Sequence, residues 1–415
     1  MHILVYMAIM PHIRDRHLQE PFDKLIGNAR VVGILGHRQV GKTTFLQRVA
    51  KEYVTLDDED SLRAALGSPK KFIASMKANR SGIDECQLVP GVFPAMKVRI
   101  GTSQIPGRFI LSGSVRFTSR RAIRESLTGR ISNLELHPFV LTEIEGEPNS
   151  SFLFDAVRTP AIQSLVDVAE RARSEHGRRS KAIEKYLERG GLPGLFHLRD
   201  GDTRKNLLRD LTETILDRDL RLVYRTSLPF QRIHDYCMAL ASAPLQIIRP
   251  GSLRKSLRIA ESTQQHLLHA LESVFLLRRI PVEGDYKGDL FWFEDQLERS
   301  HFAATALSDD QDWITLIYRN ARAQFSYRIG EHAQYFCFRT RGGAQVPLGI
   351  RTSQGVLGII GVRSRADINL SLKRSADSFL KRYNHSKVLF LTREGKQSEA
   401  LNDRIGVFPA QAALF

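Results

Sequence analysis

The sequence predicts an α/β protein whose core is a doubly wound parallel sheet. Three observations lead to this prediction: an apolar strand at residues 31–35, a glycine-bounded loop and helix directly after it, and further strand–loop–helix segments as far as residue 136. Strands that alternate with helices usually pair in parallel, because each helix crosses over one face of the sheet. Ligands of such sheets bind at the carboxyl ends of the strands, and we expect the functional site there.

The loop after the first strand has a phosphate-binding pattern. It consists of Gly36, His37, Arg38, Gln39, Val40, Gly41, Lys42 and Thr43, with Thr44 next in the chain. It fits G-x-x-x-x-G-K-[ST] at every fixed position. The glycines let backbone N–H groups approach phosphate oxygens, and the helix that follows adds the positive end of its dipole. We expect Lys42 to reach the β- and γ-phosphates of ATP, and Thr43 to ligate Mg²⁺.

Asp84 and Glu85 are the second element with a chemical role. An ATPase with such a loop needs one acid that holds Mg²⁺ through water and a second that polarises the attacking water. Asp84 suits the first role and Glu85 the second. The residues before them, 79–82, are polar for a buried parallel strand. On these residues alone, a solvated surface pair is the alternative interpretation.

Two later positions are candidates for contacts with the phosphates. Residues 109–111 form an apolar strand that ends at Ser112, Gly113 and Ser114, where a hydroxyl could sense the γ-phosphate or the attacking water. Arg130 comes after a predicted helix that ends near Gly129, and it precedes a strand. It could touch phosphate in cis or in a neighbouring subunit. The alternatives are a plain serine–glycine turn and a surface arginine.

Composition limits the classes of partner and compartment. The chain has 415 residues, enough for two or three domains, and a net charge of +16 that suits nucleic acid, an anionic surface or an acidic partner. Cys86, Cys237 and Cys337 are far apart and form neither a disulfide framework nor a zinc-binding pair, which indicates the cytoplasm. The apolar stretch at residues 1–10 is too short for a membrane span, so we expect no membrane association.

The motifs occur together in an order that resembles a known family. The chain contains, in sequence, the segments GHRQVGKTT, YVTLDDED, IDECQLVPGVFPAMK, GRFILSGSVRF, ESLTGRISNLELHPFVLTEI and YLERGGLPGLF. With these it is similar to the predicted prokaryotic AAA-superfamily ATPases that carry a C-terminal domain of unknown function. The resemblance implies an AAA-type P-loop core at residues 1–150, with Lys42 and Thr43 on nucleotide and Mg²⁺. It also implies Asp84 and Glu85 as the acidic pair.

The resemblance also implies two helical units after the core. Residues 151–228 are expected to form a lid, in which a helix over residues 203–223 buries Leu207 and its neighbours. Residues 229–285 look like a winged helix, with three helical stretches followed by a strand at residues 274–277. Its third helix begins near Ser262, Thr263, Gln264, Gln265 and His266, which are residue types that contact base edges. DNA binding and a purely protein-packing role are both open here, because a fold does not specify function.

Residues 286–415 resemble the family's restriction-endonuclease-like end domain. A nuclease of this type needs a carboxylate on one strand, and an acid and a lysine on the next, to hold metal and activate water. The corresponding segments here are residues 345–347 (QVP) and 359–363 (IIGVR), and neither contains an acid. We therefore predict a degenerate domain without nuclease activity, whose basic residues could still hold nucleic acid.

Together these patterns predict a cytoplasmic, Mg²⁺-dependent ATPase. Its nucleotide state would control contact with DNA or with a protein partner, and oligomerisation is open. The alternative is a nucleotide-binding interaction module with little or no hydrolysis. The polar residues before Asp84 and the eroded end domain favour this alternative, and the intact Lys42, Thr43 and Glu85 oppose it.

Overall fold

Two sheets organise the chain. The structure is a computed structural model that describes residues 13–102, 105–117, 129–242, 253, 255, 257–286, 288–303, 309–328 and 330–415. A five-stranded sheet forms the core of the first 136 residues, and an eight-stranded sheet forms the core of the C-terminal part. No helix among the described residues is both long enough and apolar enough to cross a membrane.

The first sheet is entirely parallel, which confirms the predicted α/β core. Its strands are β1 (Val31–Leu35), β2 (Glu52–Thr55), β3 (Ser81–Asp84), β4 (Phe109–Gly113) and β5 (Ile131–Glu135). They are ordered β2-β3-β4-β1-β5. The helices of this part are α1 (Gln19–Ile26), α2 (Lys42–Val49), α3 (Glu59–Gly67), α4 (Pro69–Ser75) and α5 (Val92–Thr102). Because β1 pairs with β4 on one side and with the edge strand β5 on the other, the loop after it emerges between these two strands at the carboxyl edge.

The polar residues of β3 are explained by close packing of α2 against the strand. A Cβ atom on Gly82 would lie 2.9 Å from Ala50 Cβ and 3.0 Å from Leu46 Cδ1, so only glycine fits. Ser81 is fully buried, and its hydroxyl donates a hydrogen bond to Ala78 O at 2.7 Å. The expectation that a buried strand must be apolar is therefore wrong for β3, which is buried along its whole length.

Thirteen further helices are described between residues 141 and 413. They are α6 (Leu141–Glu145), α7 (Phe152–Arg158), α8 (Ile162–Arg171), α9 (His176–Arg189), α10 (Pro193–Phe196), α11 (Gly201–Thr214), α12 (Leu220–Val223), α13 (Phe230–Ala241), α14 (Glu261–Ser273), α15 (Gln296–Phe302), α16 (Asp309–Ser326), α17 (Leu370–Arg382) and α18 (Ala410–Ala413). A π-helical turn, Ile215–Asp219, separates α11 from α12. The expected burial of Leu207 is wrong, because 40% of this residue is exposed.

The second sheet is mixed. Its strands are β6 (Leu277–Gly284), β7 (Asp289–Phe293), β8 (Gln334–Arg339), β9 (Gln345–Thr352), β10 (Gly355–Val362), β11 (Lys387–Thr392), β12 (Glu399–Asn402) and β13 (Ile405–Pro409), in the order β12-β13-β11-β10-β9-β8-β6-β7. β8, β9 and β10 are antiparallel neighbours, whereas β10, β11 and β13 run parallel. Side chains of α7 and α8 belong to the apolar core on one face of this sheet. The proposed domain divisions after residues 150, 228 and 285 stay predictions.

The region expected to resemble a winged helix is described in part. α13 and α14 are present. Of the expected middle helix at residues 253–259, Leu253, Lys255 and Leu257 are helical, whereas residues 254 and 256 lie outside the described residues. The predicted strand at residues 274–277 is wrong. Phe275 has a left-handed backbone (φ 62°), so the chain turns there and β6 begins only at Leu277.

Candidate nucleotide-binding site

The loop between β1 and α2 is held in shape by glycines and by an arginine from outside the sheet. A Cβ atom on Gly36 would lie 2.3 Å from Leu136 O, so the close approach to β5 requires glycine. Gly41 has φ 94° at the start of α2, in the left-handed region that favours glycine. Arg16 donates a hydrogen bond from Nη1 to Val40 O at 2.6 Å and forms an ion pair with Glu143 at 3.1 Å. The predicted loop is thus a fixed turn at the carboxyl edge.

Lys42 is buried beneath this loop. Its Nζ donates a hydrogen bond to His37 O at 2.8 Å. Burial lowers the pKa of Lys42, and the charges of Glu85 and Asp84 oppose that change. The ammonium group therefore lies between the loop backbone and the acidic pair, at the place where the phosphates of a nucleotide would need a positive charge.

Asp84 collects hydrogen bonds from three neighbouring elements. Thr43 Oγ1 donates to Asp84 Oδ2 at 2.6 Å, and Tyr53 OH donates to the same oxygen at 3.0 Å. Ser112 Oγ donates to Asp84 Oδ1. A hydroxyl and a carboxylate in contact are the oxygen donors that Mg²⁺ uses in nucleotide sites, so this pair fits that ion. Tyr53 gives no signal in the sequence, since one tyrosine in a strand has no distinctive spacing.

Glu85 follows directly but faces different partners. It has a left-handed backbone (φ 50°), and 9% of the residue is exposed. Its Oε2 accepts hydrogen bonds from Gln87 Nε2 and, at 3.3 Å, from Ser114 Oγ. Burial raises the pKa of Glu85, while the charge of Lys42 opposes the rise. A raised pKa is the direction that suits a carboxylate that accepts a proton.

The π-helical turn between α11 and α12 contributes two arginine–aspartate ion pairs. Asp219, at the end of the π-helical turn, lies 3.1 Å from Arg38 Nη1 and is 2% exposed as a side chain. The preceding Arg218 forms an ion pair with Asp57 after β2, at 2.9 Å. π-helical turns are frequent at functional sites. The turn is thereby fixed both to the phosphate-binding loop and to the edge of the sheet.

A cavity of about 580 Å³ opens beside the loop. It is lined by the loop and α2, by residues that precede α1, and by the start of α10; lining residues include Arg14, Gln39, Lys42, Thr43, Thr44, Glu85, Pro193 and Gly194. Thr43 and Thr44 are exposed to it. A volume of this size falls in the range of small-molecule sites.

Arg130 is not brought to this cavity in cis. β5 pairs with β1 so that Ile131 lies beside Val31 and Glu135 beside Leu35. Arg130 is therefore at the amino edge of the sheet, five strand residues or roughly 16 Å from the loop. A contact in a neighbouring subunit stays a prediction.

A second charged cluster, near the carboxyl end of β5, is chemically different. Among the described residues, Glu135, His137 and Glu294 form the group whose ligand atoms lie close enough to hold a metal ion, within 4.8 Å of one another. Arg322 already lies among them, with Nη2 donating to Glu135 Oε1 at 3.0 Å and also to Glu294. Arg278 also pairs with both carboxylates. Two guanidinium groups neutralise these acids, so the cluster does not have the character of a metal site.

Two family models match the chain. Residues 28–145 match an AAA domain, and residues 180–283 match a domain of unknown function (DUF8612). The predicted resemblance to P-loop AAA-type ATPases is thus confirmed over the range that holds the loop and the acidic pair. The function of the part that follows is not defined by its match.

The curated relatives are themselves uncharacterized. The proteins Rv2008c of Mycobacterium tuberculosis and Mb2031c of Mycobacterium bovis are each 25% identical to this chain over 259 residues. The aligned stretch covers 62% of this chain and 51% of each relative. The match therefore spans about half the length of these relatives.

Similarity to solved structures is low. A DNA replication initiation factor has 14% identity and a TM-score of 0.25, covering 61% of this chain and 85% of its own. AMPPCP-bound DnaA from Aquifex aeolicus has 14% identity and a TM-score of 0.24, with coverage of 62% and 85%. A STAND ATPase with a tetratricopeptide repeat sensor from Pyrococcus horikoshii has 12% identity and a TM-score of 0.26. The match covers 77% of this chain and 48% of that protein's chain. TM-scores at this level support no inference about this chain.

We predict that the Arg38–Asp219 ion pair contributes more to the free energy of unfolding than the more exposed Asp217–Arg221 ion pair does. Asp219→Ala should lower the free energy of unfolding by about 1–3 kcal/mol, because it leaves Arg38 without its partner in a largely buried place. Asp217→Ala, in the same turn, removes an exposed pair with Arg221 and should cost about 0–1 kcal/mol. Chemical denaturation of both variants measures the difference, and equal losses would contradict the prediction.

Proposed function

We propose that the chain is a Mg²⁺-dependent ATPase whose site is the cavity beside the loop of residues 36–44. The observation that supports this best is the 2.6 Å contact between Thr43 Oγ1 and Asp84 Oδ2, with Lys42 and Glu85 beside it. This arrangement brings together the phosphate-binding charge, the metal-binding oxygens and a second acid. Each of the four was expected from the sequence to do this chemistry.

In the proposed reaction each residue has a limited task. Bound Mg²⁺ would supply positive charge to the β- and γ-phosphates, held by the Thr43 hydroxyl and, through water, by Asp84. Lys42 would exchange its hydrogen bond to His37 O for phosphate oxygens. Glu85 would orient the attacking water and accept its proton. Ser112 would act indirectly, since its hydroxyl is engaged by Asp84 in the fully buried interior.

A module that binds nucleotide without turning it over is the second candidate. Its support is the engagement of one oxygen of the Glu85 carboxylate, Oε2, by Gln87 and Ser114, although Glu85 also lines the cavity. Hydrolysis would then require a rearrangement that frees Glu85 from Gln87. The two candidates share the binding site and differ only in turnover.

The proposed partner is DNA, with a protein partner as the alternative. Gln265, His266 and His269 are exposed on α14, and Lys255 and Arg258 lie exposed just before it. Gln264 does not belong to this group: it is buried and donates a hydrogen bond to Tyr236 OH at 3.1 Å, which corrects its expected contact with bases. We place the protein in the cytoplasm, where its three buried cysteines would remain the free thiols they are here. We also include in the proposal that copies of this chain associate with one another.

The ATPase proposal predicts that two substitutions both remove phosphate release but differ in their effect on ATP binding. Lys42→Ala should abolish ATP binding and phosphate release, because it removes the charge beneath the phosphates. Glu85→Gln should retain ATP binding and lose phosphate release by about 100-fold or more, since proton acceptance is lost. The measurement is steady-state phosphate release with ATP and Mg²⁺, beside equilibrium binding of ATP.

Lys51→Ala is a suitable control for this experiment. Lys51 is exposed and precedes β2, at the amino edge of the sheet, so its loss should leave both quantities unchanged. Phosphate release that survives in Lys42→Ala would mean that the activity comes from elsewhere. Tight ATP binding by the native protein without turnover would favour the second candidate.

The DNA proposal predicts a specific salt dependence. The double variant Lys255→Ala/Arg258→Ala should bind duplex DNA more weakly and reduce the slope of log affinity against log salt concentration by about 1–2, because each basic residue releases roughly one counterion. Fluorescence anisotropy over a range of salt concentrations measures this slope. Arg63→Ala, an exposed arginine of α3, is the control.

The same duplex tests the proposed absence of nuclease activity. The strands β9 and β10 contain no Asp or Glu, and Ile359, Ile360 and Val362 are buried in the apolar cores on the two faces of the sheet. Incubation with Mg²⁺ or Mn²⁺ should leave the DNA uncut. Cleavage that purifies with the protein would contradict this part of the proposal.

A further inference from the structure

A short connection between the second sheet and α15 contacts two segments whose neighbouring residues line the nucleotide cavity. β7 ends at Phe293, and α15 begins at Gln296 with a capping box made by Asp295 and Glu298. Asp295 Oδ1 accepts a hydrogen bond from Leu297 N at 2.9 Å, and Glu298 Oε2 accepts one from Asp295 N at 3.2 Å. The box uses one oxygen of each carboxylate, so each retains a second oxygen for a partner outside the helix.

The second oxygen of Glu298 contacts the phosphate-binding loop. Glu298 Oε1 lies 2.7 Å from His37 Nε2, and both side chains are fully buried. His37 Nδ1 lies 2.6 Å from Arg38 O, which can only accept, so Nδ1 carries a hydrogen. His37 Nε2 therefore faces Glu298 Oε1 in a buried contact that is an ion pair when the imidazole is protonated. Breaking such a buried contact leaves a polar group without a partner, which is costly.

The second oxygen of Asp295 contacts the turn before α10. Asp295 Oδ2 accepts a hydrogen bond from Gly191 N at 2.7 Å. A Cβ atom on Gly190 would lie 2.2 Å from Asp295 Oδ1, and Gly190 has φ 68°, so this approach requires glycine. Pro193 and Gly194, two and three residues beyond Gly191, line the cavity. The carboxylate is completely buried, and its contacts fix where the turn before α10 lies.

We propose that Asp295 and Glu298 are positioning residues of the nucleotide site, holding the phosphate-binding loop and the turn at residues 190–192, which leads into α10, against the second sheet. The inference rests on the proposed binding of ATP. Neither carboxylate needs to touch the nucleotide, because Glu298 acts through His37 and Asp295 through Gly191. The peptide that carries His37 also supplies the carbonyl that Lys42 contacts, so a displaced His37 would disturb the phosphate cradle itself.

The first residue of the connection, Glu294, is linked to the first sheet through an arginine. Glu294, directly before Asp295, pairs with Arg322 on α16 and Arg278 on β6. Arg322 in turn reaches Glu135 at the end of β5. Adjacent residues of one short segment therefore contact the phosphate-binding loop, the turn before α10 and, through Arg322, the end of β5.

The test compares nucleotide affinity with fold stability in matched variants. Glu298→Ala and Asp295→Asn should each weaken binding of a nonhydrolysable ATP analogue with Mg²⁺ by about 10- to 100-fold, the range expected for a lost buried hydrogen bond to a charged group. Glu298→Gln should restore affinity to within about threefold, because its amide can still donate to His37 Nε2 and accept from Asp295 N. Isothermal titration calorimetry measures affinity at a temperature where circular dichroism shows each variant folded.

Glu283→Ala is the control for loss of a carboxylate in the second sheet. Glu283 pairs with Arg351 at 2.7 Å and accepts from Tyr383, without contact to the nucleotide cavity, so its variant should bind with native affinity. A merely structural role of Glu298 and Asp295 would lower the unfolding midpoint and leave the affinity of the folded protein unchanged. That outcome would overturn the inference.

Failure of the proposed function gives a different result from failure of the inference. If the native protein binds no nucleotide, the proposed function is wrong and the inference fails with it. If the native protein binds but folded Glu298→Ala and Asp295→Asn bind within twofold of it, only the inference is wrong. Should Glu298→Ala not fold, Asp295→Asn still decides the question on the same criterion.

Discussion

The buried carboxylate of Asp84 is the constraint on which the arrangement of the site depends. It is 2% exposed, and a buried carboxylate needs hydrogen-bond donors to offset its lost hydration. Thr43 on α2, Tyr53 on β2 and Ser112 on β4 supply them. The three donors come from three separate elements around β3, so satisfying one charge fixes the first turn of α2 against the carboxyl edge of the sheet. That placement brings Lys42 beside Glu85.

The loop of residues 36–44 is held mainly by residues remote in sequence. Arg16 holds the carbonyl of Val40, Asp219 holds Arg38, and Glu298 holds His37. These contacts come from before the sheet, from the π-helical turn and from the connection after β7. Backbone N–H groups bind phosphate well only when they are already oriented, because ordering a loop on binding costs affinity. The C-terminal half therefore contributes to a site that its own sequence does not reveal.

The sequence predicted the core sheet and the residues gathered at its carboxyl edge well, and long-range contacts poorly. Lys42, Thr43 and Asp84 could be identified because their types and spacing follow directly from phosphate and Mg²⁺ chemistry. The parallel order of the core followed from alternating strands and helices. Tyr53, Asp219 and Glu298 could not be found in this way, since their roles arise from folding partners 31, 181 and 261 residues away. The expected contact of Arg130 with phosphate in cis was wrong, because strand register places this residue at the amino edge of the sheet. Gln264 was misjudged because helix orientation decides which side chains face outward.

The most direct test of the central claim is a crystal structure with a nonhydrolysable ATP analogue and Mn²⁺ in place of Mg²⁺. The account predicts phosphates on the backbone of residues 36–43, and an anomalous peak about 2.1–2.2 Å from Thr43 Oγ1 with Asp84 in the surrounding shell. Nucleotide bound elsewhere, or a peak at Glu135, His137 and Glu294 with none at Thr43, would contradict it.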